Sequence, residues 1–198
     1  MLHGILHYAH YLLESTIEKN ETVIDATCGN GQDTLFLSNV VGKNGRVLAF
    51  DIQEQAIQTT RQLMQENQKQ NVSIIHDSHE HLEKYLPTKE MLVGGAVFNL
   101  GYLPRSDKTI ITNANSTIMA INKILHFLKP NGLIVIVVYY GHEGGHEEKE
   151  AVLKHVMQLS QRSYHVLQYR FINQRNNPPF IIAIEKKGNG FTKRKLSF

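Results

Sequence analysis

Residues Thr22 to Thr34, Thr-Val-Ile-Asp-Ala-Thr-Cys-Gly-Asn-Gly-Gln-Asp-Thr, constrain this chain more than any other stretch. Val23 and Ile24 make a short apolar run that stops at Asp25, and Gly29 and Gly31 follow it. After the polar Gln32, Asp33 and Thr34, an apolar periodic segment begins with Leu35, Phe36, Leu37, Val40 and Val41. That order spells a buried strand, a tight glycine turn and the opening of a helix. Glycine lets the backbone take positive φ and approach a ligand closely, while the first N–H groups of the helix face an acceptor. A dinucleotide-binding turn calls for a third glycine three residues after Gly31, and Thr34 stands there instead.

The chain's 198 residues suit one α/β domain with a full core. We expect that domain over residues 1–187 and a basic tail over 188–198. No apolar run approaches the roughly 20 residues that span a bilayer, and no basic-then-apolar leader opens the sequence, so no membrane partner is expected. A single cysteine, Cys28, excludes an internal disulfide and a cysteine metal cluster, and suits the reducing cytoplasm. A net charge of +3 permits nucleic-acid binding without announcing it.

Along the chain, apolar residues from Leu2 to Ile17 recur at helical spacing and predict a helix over 2–19. His3, His7 and His10 sit on it, either as a metal-binding face or as polar-edge aromatics. Arg46 to Phe50 predict a second strand ending at Asp51, and Gln53 to Lys69 a helix. Val72 to His76 predict a third strand, and 79–85 a short helix. Val93 to Phe98 predict a fourth strand, and Thr109 to Leu128 a long helix. Pro130-Asn131-Gly132 signals a turn before the apolar strand Leu133 to Val138. A loop into a helix follows, and Tyr164 to Phe171 with Phe180 to Glu185 read as an antiparallel pair.

In an open parallel sheet, ligands gather beyond the carboxyl ends of the strands. Asp25 with its glycines, Asp51, Asp77, Asn99 to Asp107, and Tyr139 to Glu148 all fall there. Asp51 lies about 20 residues past the glycines, where a carboxylate accepts from ribose hydroxyls; its competing role is to cap the next helix. Asp77 is suited to accept from an adenine amine or to cap the helix at 79–85. The histidines and glutamates of Tyr140 to Glu148 suit a substrate loop, a metal site or an acidic helix start. Glycines interrupt any helix that would align His142 with His146, so no metal is expected. Asn173, Arg175, Asn176 and Asn177 suit nucleotide contact or plain turn chemistry.

The loop at Asp25 resembles that of class I S-adenosyl-L-methionine (AdoMet) methyltransferases, with Thr27 where that family usually has glycine. Asn99-Leu-Gly-Tyr102 resembles the Asn-Pro-Pro-Tyr motif of methyltransferases that modify exocyclic amines, with Leu100 and Gly101 in place of the prolines. Five blocks in order carry a closer likeness: the Asp25 loop, Asp77-Ser-His-Glu, Asn99-Leu-Gly-Tyr-Leu-Pro, Tyr140-Gly-His-Glu-Gly-Gly-His-Glu-Glu and Asn173-Gln-Arg-Asn-Asn-Pro-Pro-Phe. They resemble the small bacterial "putative rRNA methylase" family associated with tRNA wobble-uridine modification (MnmM-type).

The resemblance implies a Rossmann-like α/β fold: a seven-stranded, mostly parallel sheet with a terminal antiparallel hairpin and an extra N-terminal helix. It implies AdoMet as cofactor, held by Asp25, Thr27, Gly29, Asn30, Gly31, Asp33, Thr34, Asp51, Gln53, Asp77, Ser78, His79 and Asn99. The reaction implied is methylation of 5-aminomethyl-2-thiouridine at the wobble position of a tRNA anticodon stem-loop. Asn99 would grip the target amine and Tyr102 would stack on the base. An alkyl ammonium must lose a proton before attack, for which Asp107, His142, Glu143 and His146 are candidates. Methyl transfer to an amine needs no nucleophilic cysteine, in keeping with Cys28 lying in the cofactor loop. Arg105, Lys108, Tyr140, Asn173, Arg175, Asn176 and the tail would meet RNA. A homodimer is left open. The alternatives are an rRNA or small-molecule N- or O-methyltransferase on the same fold, and a non-catalytic RNA-binding protein.

Overall fold

A computed structural model describes residues 1–86, 92–101 and 112–188. The elements run α1 (Ile5–Glu14), β1 (Thr22–Asp25), α2 (Gln32–Val41), β2 (Arg46–Asp51), α3 (Glu54–Glu66), β3 (Val72–His76), a 3₁₀ helix (His79–Tyr85) and β4 (Val93–Leu100). They continue through α4 (Ala114–Phe127), β5 (Leu128–Val138), α5 (Gly145–Met157), β6 (Tyr164–Tyr169) and β7 (Phe180–Lys186). One seven-stranded sheet has the order β3-β2-β1-β4-β5-β7-β6. Strands β1 to β5 pair in parallel, and β7 is antiparallel to both β5 and β6. This is the expected α/β architecture.

Both faces of the sheet are covered, which is why its central strands are almost continuously apolar. Side chains alternate across the pleat. Ile24, Leu48, Phe50, Phe98, Ile134 and Ile136 pack with Leu82 of the 3₁₀ helix, Ile121 and Ile124 of α4 and Val152 of α5. Val23, Val47, Val97, Val135 and Val137 point the other way, against Ala9 and Leu13 of α1 and Leu37 and Val41 of α2. Among the described residues, no helix is long and apolar enough to cross a membrane.

The three boundaries that differ most from the sequence reading each do so for a local reason. Helix α1 ends at Glu14 rather than near residue 19, because the hydroxyls of Ser15 and Thr16 both donate to the Leu12 carbonyl and close the last turn. Ile17 remains buried beyond the helix end. Helix α4 begins at Ala114, where the Asn113 side chain caps it by accepting from the Asn115 N–H at 2.8 Å. Strand β5 starts at Leu128, ahead of the Pro130-Asn131-Gly132 turn. Leu128 pairs with Val93 and Leu133 with Gly95, so the residues between bulge out of the ladder, with Asn131 at φ 61°.

Phe98, fully buried in β4, lies edge-on to the His79 ring at 5.5 Å between centroids, and so supports both the core and the wall above the sheet. Phe98→Ala is expected to cost about 3–5 kcal/mol, read as a lower urea midpoint at unchanged slope. A loss below about 1 kcal/mol would mean that the site collapses freely around the missing ring.

Candidate functional site

The strand order reverses at β1, which lies between β2 and β4. At that point a cavity of about 710 Å³ opens above the carboxyl ends of the parallel strands, within the size range of small-molecule sites. The β1–α2 loop supplies its floor with Thr27, Cys28, Gly29, Asn30, Gln32 and Asp33. Asp51 and Gln53 line it after β2, Asp77, Ser78 and His79 after β3, and Asn99 to Gly101 at the end of β4. Tyr139 to His142 follow β5, and Thr112, Asn113 and Ser116 lead into α4.

The glycine loop is shaped from behind. Gly29 and Gly31 have φ of 51° and 79°. A Cβ on Gly31 would stand 3.1 Å from Thr60 Cα in α3, so both conformation and space call for glycine there. Asp25 does not line the cavity. It is fully buried and accepts from the Thr34 hydroxyl at 2.5 Å and the Thr27 N–H at 3.2 Å. Gly31 and Thr34 likewise sit in the scaffold of the loop. These three expected ligand contacts therefore act on the loop, because a turn this tight must satisfy its own polar groups before it offers any outward. Burial and the nearby charge of Asp33 push the Asp25 carboxyl up to about 7.

Thr27, the departure from the usual glycine, has a structural role. Its hydroxyl oxygen accepts from the Asn99 N–H at 2.7 Å, bridging the loop to the end of β4. The Asn99 side chain donates through Nδ2 to Asp33 Oδ2 at 2.6 Å. A carboxylate only accepts, so the amide atom facing it is nitrogen, and Oδ1 is left for a ligand's N–H.

Asp51 lines the cavity and ties the glycine loop to the chain entering α3. One oxygen accepts from the Gly29 N–H at 3.0 Å and the other from the Gln53 N–H at 2.9 Å. Each retains lone-pair capacity toward the cavity. Burial pushes its pKa up. Asp77 is committed locally: it accepts from the Ser78 N–H, the Tyr85 hydroxyl and the His81 ring. The His81 hydrogen bond is the main reason its carboxyl falls to about 2. Asp77 thus anchors the 3₁₀ helix while also lining the cavity. Beside it, buried His79 donates from Nδ1 to the Ala26 carbonyl at 2.9 Å, which leaves Nε2 as an acceptor with no partner among the described residues. Burial lowers its pKa and keeps the ring neutral.

Of the predicted proton acceptors, His142 lines the cavity, but its ring nitrogens stand 2.9 Å from the carbonyl oxygens of Glu143 and Tyr139. Glu143 and His146 are exposed and off the cavity wall; His146 packs edge-on against Tyr140. Helix α5 starts only at Gly145, so His142 and His146 share no helical face. Tyr102, Arg105, Asp107, Lys108 and residues 189–198 lie outside the described residues. Tyr140 lines the cavity, whereas Asn173, Arg175 and Asn176 are exposed beyond it, and their neighbour Asn177 reaches the wall. Burial drives the Cys28 thiol up, so it stays protonated, as expected of a residue without a nucleophilic role.

The sequence reading took Glu148 only as one of the glutamates of its loop and gave it no separate role. It is 4% exposed and accepts from the hydroxyls of Thr112, at 2.5 Å, and Thr117, at 3.0 Å. Thr112 in turn accepts from the Gly101 N–H, so α5 pins the chain where it leaves β4 and where it enters α4. An acid three residues into a helix looks like dipole chemistry in sequence, and only burial separates the two. Tyr139 and Gln32 also line the cavity; the strand-end rule that found Asn99 applies equally to Tyr139.

Residues 47–185 match the family described as "Putative rRNA methylase". The chain is 36% identical over 188 residues to a chloroplastic tRNA (mnm(5)s(2)U34)-methyltransferase of Arabidopsis thaliana, covering 90% of this chain and 68% of that protein. Its fold superposes on a putative rRNA-methylase from Clostridium thermocellum with a TM-score of 0.90 at 40% identity, covering 94% and 99% of the two chains. A putative methyltransferase from Streptococcus mutans, solved in complex with SAH, gives 0.85 at 42% identity with the same coverage.

Asp25 generates a pH dependence. Its native pKa lies above the unfolded one, so between the two the native state binds more protons, and stability falls as pH rises towards 7. Asp25→Asn removes this term. In urea unfolding, the stability difference is therefore expected to shift in the variant's favour between about pH 5 and pH 8. A difference independent of pH would mean that Asp25 is ionised in the native loop throughout.

Proposed function

The chain belongs to the putative rRNA methylase family of AdoMet-dependent methyltransferases, and from that premise we propose that it methylates the primary amine of 5-aminomethyl-2-thiouridine at the tRNA wobble position. The product is the 5-methylaminomethyl nucleoside. The observation that carries this reading is Asn99 in the cavity wall, its amide nitrogen committed to Asp33 and its carbonyl oxygen left for an amine N–H. The relative from Arabidopsis, whose name specifies a U34 nucleoside of this kind, supports the substrate.

The residues present fit AdoMet. The glycine loop leaves room for backbone approach at Gly29, Asp51 keeps acceptor capacity suited to ribose hydroxyls, and His79 Nε2 offers a buried acceptor beside Asp77 and Ser78. When bound, AdoMet supplies an electrophilic methyl on a positively charged sulfonium. The protein's own task is then to align the amine and accept its proton. The acceptor arrives as an ammonium, and Asp33 is the cavity-lining carboxylate bonded to Asn99. We assign to it the stabilisation of that charge, ahead of His142, Glu143 and His146. The ammonium must first give up one proton, to the Asp33 carboxylate or to solvent in the open cavity. The freed lone pair would then take the methyl of bound AdoMet, whose sulfonium becomes a neutral thioether, and the methylated amine would remain protonated. Asn99 Oδ1, accepting one N–H, turns the lone pair toward the methyl. Tyr140 lines the wall with the Lys149 ammonium 4.7 Å from its ring centroid, an aromatic and a cation suited to a nucleotide, and Arg175 stands exposed two residues before Asn177 of the same wall.

The test uses the purified protein, AdoMet and tRNA carrying 5-aminomethyl-2-thiouridine, with nucleosides read by mass spectrometry. Methylation of the wobble nucleoside is expected. Cofactor binding without methyl incorporation there, or transfer to rRNA instead, would overturn the substrate assignment. Asn99→Ala should lower kcat by roughly 10- to 100-fold with AdoMet affinity held within about twofold, whereas Asp51→Ala should chiefly weaken AdoMet binding. Equal loss of cofactor affinity in both variants would refute this division of roles.

A further inference from the structure

Helix α1 precedes the sheet and lines none of the cavity, yet one of its side chains is bonded into the cavity wall. His10 Nε2 lies 2.5 Å from Asp33 Oδ1, while the other Asp33 oxygen accepts from Asn99 Nδ2 at 2.6 Å. Because the carboxylate accepts from both, His10 donates through Nε2, and the two donors, His10 and Asn99, converge on the two oxygens of Asp33. The imidazole is also held independently. It stacks on the Phe36 ring with centroids 3.9 Å apart and planes 5° from parallel, and Phe36 stands one helical turn beyond Asp33 on α2. The helix beneath it is fixed: Ala9 and Leu13 are buried against the sheet, and the Tyr169 hydroxyl donates to the His3 carbonyl at 2.7 Å.

We propose that His10 is a positioning residue for methyl transfer, acting through Asp33 to hold the Asn99 amide with its oxygen toward the acceptor amine. This rests on the amine reading of the site. A terminal amide has two orientations of similar shape, and the wrong one would present N–H₂ to an amine that is itself a donor. Asp33 selects the right orientation only while its own carboxylate plane is held. Asn99 grips one oxygen of that plane and His10 the other. Removing the His10 donor lets Asp33 rotate and Asn99 turn with it, at no cost to the glycine loop that binds the cofactor. The N-terminal helix thereby becomes part of the active site without touching substrate.

His10→Phe keeps the stack on Phe36 and removes the donor, whereas His10→Gln restores an N–H near the position of Nε2. With aminomethyl-tRNA as substrate, His10→Phe is expected to lower kcat roughly tenfold at nearly unchanged KM, with AdoMet affinity by calorimetry within about twofold of wild type. His10→Gln should recover most of that loss. In an Asn99→Ala background, His10→Phe should cost distinctly less than it does in the wild type, because the amide that it orients through Asp33 is gone. Wild-type kcat in His10→Phe, equal impairment of both His10 variants, a matching fall in AdoMet affinity, or additive losses with Asn99→Ala would each overturn the proposal. Failure of the wild-type protein to methylate the amine, with AdoMet still bound, would instead strike the functional reading beneath it.

Discussion

A buried carboxylate at the end of the first strand organises the site. Asp25 has no access to water, and it offsets the cost of its burial by accepting from Thr34 at the start of α2 and from the Thr27 backbone. Those two bonds fold the loop back on itself, and Gly29 and Gly31 supply the positive φ that this path needs. Thr27 then passes the constraint to β4 through the Asn99 N–H. A residue that does not line the cavity thus determines where two that do line it stand. The raised pKa of Asp25 is the mark of that position: the protein tolerates an acid poorly suited to its surroundings because the loop depends on its oxygens.

The sheet topology completes what the loop begins. Reversal of strand order between β2-β1 and β4-β5 opens a crevice between helices on opposite faces, and every parallel strand delivers its carboxyl end to it. Strand β7 runs the other way, so its amino end comes to the same edge; Phe180 pairs with Val138 and brings Asn177 to the cavity wall. Glu148 closes the far side by joining α5, through Thr112, to Gly101. Burial pushes its pKa up as it does for Asp25 and Asp51, so three acids beside or behind one cavity are held against their solvation preference. Such concentration is characteristic of functional sites.

Within this frame the chemistry is divided between cofactor and protein. A sulfonium methyl needs little activation. The protein contributes geometry: an amide oriented by an acid, and an acid oriented by a histidine on a helix outside the sheet. Cys28 beneath the loop takes no part, since its buried thiol stays protonated. Farther out, Tyr140 lines the rim of the cavity and Arg175 stands exposed in the connection before β7.

The sequence by itself determined the order of strands and helices, the glycine turn and the clustering of polar residues at one sheet edge. These follow from periodicity, positive-φ demands and strand-end position, all of which are local. Asp51 and Asn99 were legible for that reason. The work of Asp25, the burial of Glu148 and the reach of His10 to Asp33 were not. Each depends on a partner brought close by folding, as with His10 and Asp33, 23 residues apart, and Asn99 and Asp33, 66 apart. Nor could spacing tell an acid facing the ligand from one facing its own loop. Burial decides that, and burial exists only once both faces of the sheet are covered.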